Sequence, residues 1–156
     1  MIHLNKATNE DIMFISKVCR SSNEIYSQIM PNAFIKQANK YEVSGLPPDY
    51  KIYIINNDKE QIGFLGISSL NETSIYLVAI YLHKNFYRLG YGGETINLLC
   101  KELKNHDIKE IVLQAHKDAT WAINFYKKFR FEEICNPTRD LNFKLIDNTL
   151  IMRKKL

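Results

Sequence analysis

Tyr87-Arg88-Leu89-Gly90-Tyr91-Gly92-Gly93 decides how this chain is read. An apolar and aromatic run at residues 74–82 precedes it and predicts a buried strand. Residues 94–104 follow and predict a helix, because Ile96, Leu99 and Leu103 share one helical face, with Leu98 and Cys100 beside them. Strand, glycine-rich turn and helix start, in that order, form an anion site. Glycine turns tightly and has no Cβ to hold a ligand away from the backbone. The first N–H groups of a helix lack internal partners, and the helix dipole adds about half a positive charge there. Phosphate is the natural occupant.

Two nucleotide-binding turns are excluded by the residues themselves. No Gly-Lys-Ser/Thr is present, which removes the NTPase P-loop. The dinucleotide fingerprint needs a third glycine where this chain has Thr95, and an acid after the next strand, where it has His116 and Lys117.

Composition sets the outer bounds. A chain of 156 residues, 46% apolar and 24% charged, fits one globular domain over 1–156. Such a chain buries roughly two thirds of its unfolded surface. No apolar run approaches the roughly 20 residues of a membrane span. Met1-Ile2-His3-Leu4-Asn5-Lys6 lacks the apolar core of a signal peptide, so a cytoplasmic location is expected. Cys19, Cys100 and Cys135 are odd in number and far apart, and the four histidines show no ligand spacing, so neither a disulfide framework nor a metal site is expected. The net charge of +4 is scattered, with short clusters only at Lys127-Lys128 and Arg153-Lys154-Lys155 and no nucleic-acid motif.

The rest of the chain supplies the frame. Alternation at 2–6 predicts a first strand. Thr8 as N-cap, with Asp11 three positions on, predicts a helix to about Arg20 with Ile12, Ile15 and Cys19 facing the core. Residues 23–38 predict a second helical region broken at Met30-Pro31, and 44–48 a loop. Residues 51–56 and 61–69 predict strands of a hairpin around Asn57-Asp58, and a turn at Asn71-Glu72 leads into the next strand. After the glycine turn and its helix come a strand at 108–116 and a helix capped by Asp118 that runs to about Lys128. Strands at 131–135 and 148–154 then flank a long connection at 137–147. This order predicts one α/β domain with a mixed sheet of about seven strands and about four helices, antiparallel early and parallel across the central crossover.

With those elements in place, Tyr87-Arg88-Leu89-Gly90-Tyr91-Gly92 resembles the Gln/Arg-x-x-Gly-x-Gly/Ala phosphate turn of the GNAT superfamily of acyl-CoA-dependent N-acetyltransferases, except at its first position. Leu82-His83-Lys84-Asn85-Phe86 is similar to that family's Val-His-Pro-Glu-Tyr lead-in. Ala122-Ile123-Asn124-Phe125-Tyr126-Lys127-Lys128-Phe129-Arg130-Phe131 resembles its Ala-x-x-hydrophobic-Tyr-x-x-hydrophobic-Gly-Phe segment. The similarity covers 75–131; before it only the order of elements agrees. Three positions depart from the pattern. Tyr87 replaces Gln/Arg, Ala119 replaces an Asn that contacts the pantetheine arm, and Arg130 replaces the Gly before Phe131.

The resemblance implies a GNAT-like, splayed sheet and transfer of an acetyl group from acetyl-CoA to an amine of a small molecule or peptide, by direct attack in a ternary complex. It implies that the N–H groups of residues 89–93 cradle the pyrophosphate, with Tyr87 and Arg88 beside it, and that the pantetheine runs along Ile80 to Leu82 and past Ala119. A backbone N–H near Leu82 then receives the developing oxyanion, and Tyr126 protonates the departing thiolate. A phenol pKa of about 10 leaves that proton in place at neutral pH. The base stays open. Tyr76 and Tyr81 occupy the strand where some relatives have a glutamate, with Glu72 just outside. His83, His116, a water chain and an amine that arrives neutral are the alternatives. The acceptor is expected between the first two helices and the 137–147 connection, near Glu24, Tyr26, Tyr50 and Asp140. A non-catalytic acyl-CoA-binding or sensing module is the second reading, motivated by Ala119 and the missing strand carboxylate. A nucleic-acid-binding domain, motivated by charge alone, is the third. Neither a nucleic acid nor a membrane is expected as partner, and monomer and homodimer are both open.

Overall fold

The computed structural model describes residues 1–135 and 144–156. Its strands are β1 (His3–Lys6), β2 (Lys51–Asn56), β3 (Gln61–Ser69), β4 (Ser74–Leu82), β5 (Glu110–His116), β6 (Glu132–Glu133) and β7 (Thr149–Lys155). They form one sheet in the order β1-β2-β3-β4-β5-β7-β6. Neighbours are antiparallel except β4 and β5, which are joined through the crossover helix α3 (Tyr91–Asn105) and run parallel.

Strand alternation sends successive residues to opposite faces, and each face has its own core. Ile52, Ile54 and Phe64 pack under α1 (Ile12–Tyr26) and α2 (Ala33–Ser44), against Ile15, Val18, Phe34 and Tyr41. Ile55, Ile62, Leu65 and Leu113 pack against Ile96 and Leu99 of α3 and Ile123 of α4 (Thr120–Lys128). Among the described residues, no helix is long and apolar enough to cross a membrane.

Two irregularities in β4 shape the site. Gly66 stands opposite Ala79 and Ile67 opposite Leu77, so Val78 is an extra residue that bends the strand. On its other edge β4 pairs with β5 only from Ser74 to Tyr76, against Glu110 to Val112. Beyond Tyr76 the two strands part. The splayed mixed sheet expected from the sequence is therefore present.

The strands β2, β3 and β4 have the predicted bounds. The first helices do not. α1 continues six residues past Arg20, to Tyr26, because Ser21 and Ser22 turn their hydroxyls inward and donate to the Val18 carbonyl at 2.9 and 3.1 Å. The break falls around Met30-Pro31 as expected, with Asn32 left-handed at φ 62°, but the helix after it runs on to Ser44, where Gly45 (φ +76°) ends it. α3 starts at Tyr91, inside the glycine run rather than after it. Asp118 does not cap α4. Ala119 holds the cap position, while the Asp118 N–H donates to His116 Nδ1.

Candidate active site

The splay between β4 and β5 opens into a cavity of about 730 Å³. β4 forms one wall. The His83 N–H donates to the Ile62 carbonyl at 2.8 Å, and strand residues alternate in the direction of their peptide groups. Tyr81 and Ala79 therefore address β3, while Ile80 and Leu82 turn their N–H and C=O groups into the gap. Both border the cavity.

The glycine turn closes one end. Arg88 (φ +60°) and Gly90 (φ +85°) are both left-handed, and α3 begins at the next residue, Tyr91. The first α3 bond is made by the Glu94 N–H to the Gly90 carbonyl, so the N–H groups just before it have no helical acceptor and face the turn. Gly92 and Gly93 have a second reason to lack side chains. A Cβ at Gly92 would stand 3.2 Å from the Phe125 ring, and one at Gly93 would overlap the Phe129 ring. Bare helix backbone is what lets α4 seat against the glycine turn.

Tyr126, from α4, borders the same cavity with its ring against Phe125 (5.5 Å) and Phe131 (5.6 Å). Burial, helped by the nearby phenols of Tyr26 and Tyr76, raises its pKa well above that of a free phenol. Among the described residues, its hydroxyl has no hydrogen-bond partner. The group is a protonated donor with its proton uncommitted. Arg130, two residues past α4, is left-handed at φ +69°, the conformation for which the glycine of the resembled motif is suited. Lys154 of β7 closes that helix end by donating to the Phe129 carbonyl at 2.8 Å.

Of the other residues singled out in the sequence, Tyr87, Arg88 and Tyr91 border the cavity. Tyr87 is half-buried, which raises its pKa, and its hydroxyl faces Ser22 and Ser21 of α1. Leu89 projects to solvent and Ala119 is buried in the turn before α4; neither borders the cavity. Sequence reading missed the apolar remainder of the wall, Phe86, Phe125, Phe129, Trp121 and Ile25. Their one signal was the density of aromatic residues in the two flanking motifs.

Four of the candidate bases lie away from the cavity. His83 is buried; its Nδ1 accepts from the Asn85 N–H at 3.2 Å, and burial together with Lys17 and Lys84 lowers its pKa. His116 Nδ1 accepts from the Asp118 N–H at 3.1 Å. Glu72 is exposed in a turn, and the Tyr76 hydroxyl accepts from the Gln114 amide at 3.0 Å. None of these four borders the cavity. Among the described residues, no group of His, Cys, Asp and Glu is arranged to hold a metal ion.

A second cavity of about 230 Å³ lies on the α1–α2 side of β4, and Tyr81 borders both. Tyr50 lines it. Tyr26, whose hydroxyl is pushed up to about 12 by burial, packs between Phe34 (4.7 Å) and Trp121 (5.2 Å) at the division between the two cavities. Glu24 is on the surface, held by Lys84 Nζ at 2.7 Å. Asp140 lies outside the described residues.

Several solved structures share this architecture along their whole length. The PaiA N-acetyltransferase of Thermoplasma acidophilum, crystallised with coenzyme A, superposes with a TM-score of 0.73 at 20% identity, over 100% of this chain and 99% of that one. A GNAT family acetyltransferase from Elizabethkingia anophelis with acetyl-CoA bound gives 0.67 at 15% identity, over 99% and 98%. Tetrahymena GCN5 gives 0.73 at 15% identity, over 98% and 95%. At these identities the likeness is one of fold. No curated protein matches the sequence. The sequence profile of the Acetyltransferase (GNAT) family matches residues 16–131, from inside α1 to the end of the Tyr126 segment, and the chain belongs to that family.

Proposed function

We propose that this protein moves the acetyl group of acetyl-CoA to the amine of a small molecule or peptide, by direct attack while both are bound. One observation carries the reading: the unpaired edge of β4 at Ile80 and Leu82, the glycine turn and Tyr126, whose hydroxyl is free, all border one cavity. The residues present fit an elongated thioester carrier with a diphosphate. Free amides and a helix start suit the diphosphate, a strand edge suits the amide-bearing arm, and apolar rings suit the arm's carbon chain. When bound, acetyl-CoA supplies an acyl group activated as a thioester.

The protein's own groups do the rest. The N–H groups at the start of α3, with Arg88 beside them, hold the anionic end. Leu82 N–H, fixed in the strand and aimed into the gap, stabilises negative charge developing on the acyl oxygen; losing one such donor typically costs about 10²–10³ in rate. Tyr126 gives its proton to the leaving sulfur. The apolar wall from Phe86 to Phe129 excludes water, which would otherwise compete for the acyl group.

The test is thiol release from acetyl-CoA with a panel of amines, alongside thermal melting with and without acetyl-CoA. Turnover with at least one amine and a rise in melting temperature are expected. No turnover and no rise together defeat the proposal. A second reading, acyl-CoA binding without transfer, is favoured by the lack of any carboxylate or imidazole among the described residues of the cavity wall. Stabilisation by acetyl-CoA without turnover of any amine selects it.

A further inference from the structure

We infer that the acceptor is a small arylamine, an amine conjugated to an aromatic ring and uncharged at neutral pH, and that its ring seats in the 230 Å³ cavity between α1, α2 and β4. The inference rests on the acetyl-transfer reading above and narrows it to one substrate class.

Size comes first. An apolar protein cavity of about 150 Å³ accommodates benzene. The space here therefore holds one ring with substituents, or two fused rings, and is too small for a multi-ring aminosugar. Charge comes second. The cavity is lined by Phe34, Phe64, Tyr81 and Met30, with Gln37, Tyr41 and Tyr50 as its polar side chains; among the described residues that line it, none is charged. Tyr41 and Tyr50 share a hydrogen bond of 2.9 Å, and burial raises both pKa values. Cys19, also on the wall, is pushed up to about 12 by burial. Each of these groups is neutral at physiological pH. An alkylammonium seated there would lose its water and find no counter-ion, at a cost an uncharged amine avoids.

Shape points the same way. Phe34 meets Tyr81 edge to face at 5.0 Å and 90°, and Tyr41 meets Phe64 at 6.1 Å and 80°. Rings set at right angles offer both edges and faces to another flat ring. Position completes the case. Tyr81 borders both cavities, and Tyr26 of the larger one packs on Phe34 of the smaller at 4.7 Å, so the two approach each other beside Tyr81. Tyr81 is next to Leu82, whose amide addresses the thioester side.

The lack of a base then becomes intelligible. An alkylammonium must lose a proton before it can attack, and His83 and His116 are both engaged in turns. An arylamine arrives with its lone pair free. In the balanced step, the amine nitrogen forms a bond to the acetyl carbon and the carbon–sulfur bond breaks. The sulfur takes the Tyr126 proton, and the proton shed by the new amide returns through water to Tyr126. The products are an N-acetylarylamine and CoA thiol.

The experiment has two arms. Thiol release is measured with aniline, 4-aminophenol and 2-aminonaphthalene against spermidine, lysine and kanamycin. Arylamine kcat/KM values at least 100-fold above the alkylamines are expected. Spermidine, lysine or kanamycin turned over as well as the arylamines would overturn the inference and leave acetyl transfer standing. The second arm needs no turnover: 4-fluoroaniline is followed by fluorine NMR on the CoA-saturated protein. Line broadening is expected with the native chain and its loss with Ala33→Trp, which fills the cavity from an exposed rim position at the start of α2. Gln37→Glu, which adds a charge to the wall, is expected to weaken the probe at least 10-fold. A sharp, unshifted fluorine line with the native chain sinks the assignment. Broadening without turnover of any amine sinks acetyl transfer instead and keeps the ring site.

Discussion

Tyr126 keeps its proton far into the alkaline range, since burial and two neighbouring phenols oppose its ionisation. Replacing it with Phe removes the proton and leaves the ring packing against Phe125 and Phe131 in place. We expect Tyr126→Phe to lower kcat by about 10²–10⁴ with little change in the melting temperature rise given by acetyl-CoA. Loss of that rise would mean the residue builds the cavity rather than serving the chemistry. Arg130 is a contrasting case, because its cost is conformational. A left-handed L-residue is disfavoured by about 1–2 kcal/mol, and glycine is not, though glycine is also freer in the unfolded chain. Arg130→Gly is expected to stabilise the protein by about 1 kcal/mol in urea denaturation. A destabilised variant would show that the Arg130 side chain has a compensating contact.

At the scale of elements, the contact between α3 and α4 depends on two glycines inside a helix, where each ordinarily costs about 1 kcal/mol relative to alanine. Gly93→Ala should therefore stabilise α3 by itself. Overlap with Phe129 reverses the sign, and we expect a net loss of about 1–3 kcal/mol. Phe129→Leu should recover part of that loss in the double variant, because the two changes share one contact. Strict additivity in chemical denaturation would refute the coupling. The elements themselves differed in how readable they were. The bounds of β2, β3 and β4 followed from the apolar and aromatic run at 74–82 and from the turn signals at Asn71-Glu72 and at Asn57, whose side chain accepts the Lys59 and Glu60 N–H groups and makes the hairpin turn. The end of α1 did not follow, because Ser21 and Ser22 look like helix-ending residues until their hydroxyls are seen bonded within the helix.

Over the whole molecule, the phenols of the two cores set a limit on alkaline stability. Tyr26 is pushed up to about 12, and burial also raises Tyr41, Tyr81 and Tyr126 well above the ordinary phenol value of about 10 that holds in the unfolded chain. Each folded-state pKa lies above its unfolded value. The stability these groups contribute is thus fully present below about pH 10 and is lost as pH rises from there through the folded values. Melting temperature should be insensitive to these phenols between pH 7 and about 9 and fall steeply beyond about 10; a flat profile to about 12 would contradict the burial of the four hydroxyls. The sequence by itself determined the strand–turn–helix at Gly90, the order of elements along the chain and the place of Tyr126 after that turn, because these depend on local periodicity, on glycine and on spacing within short segments. The tertiary structure alone decided that Phe129 needs a bare Gly93, that His83 and His116 are held in turns, and that an uncharged ring-lined cavity shares Tyr81 with the cavity along the open edge of β4. Those facts come from side chains far apart in the chain, brought together by a sheet that splays, and no local pattern records which of them will meet.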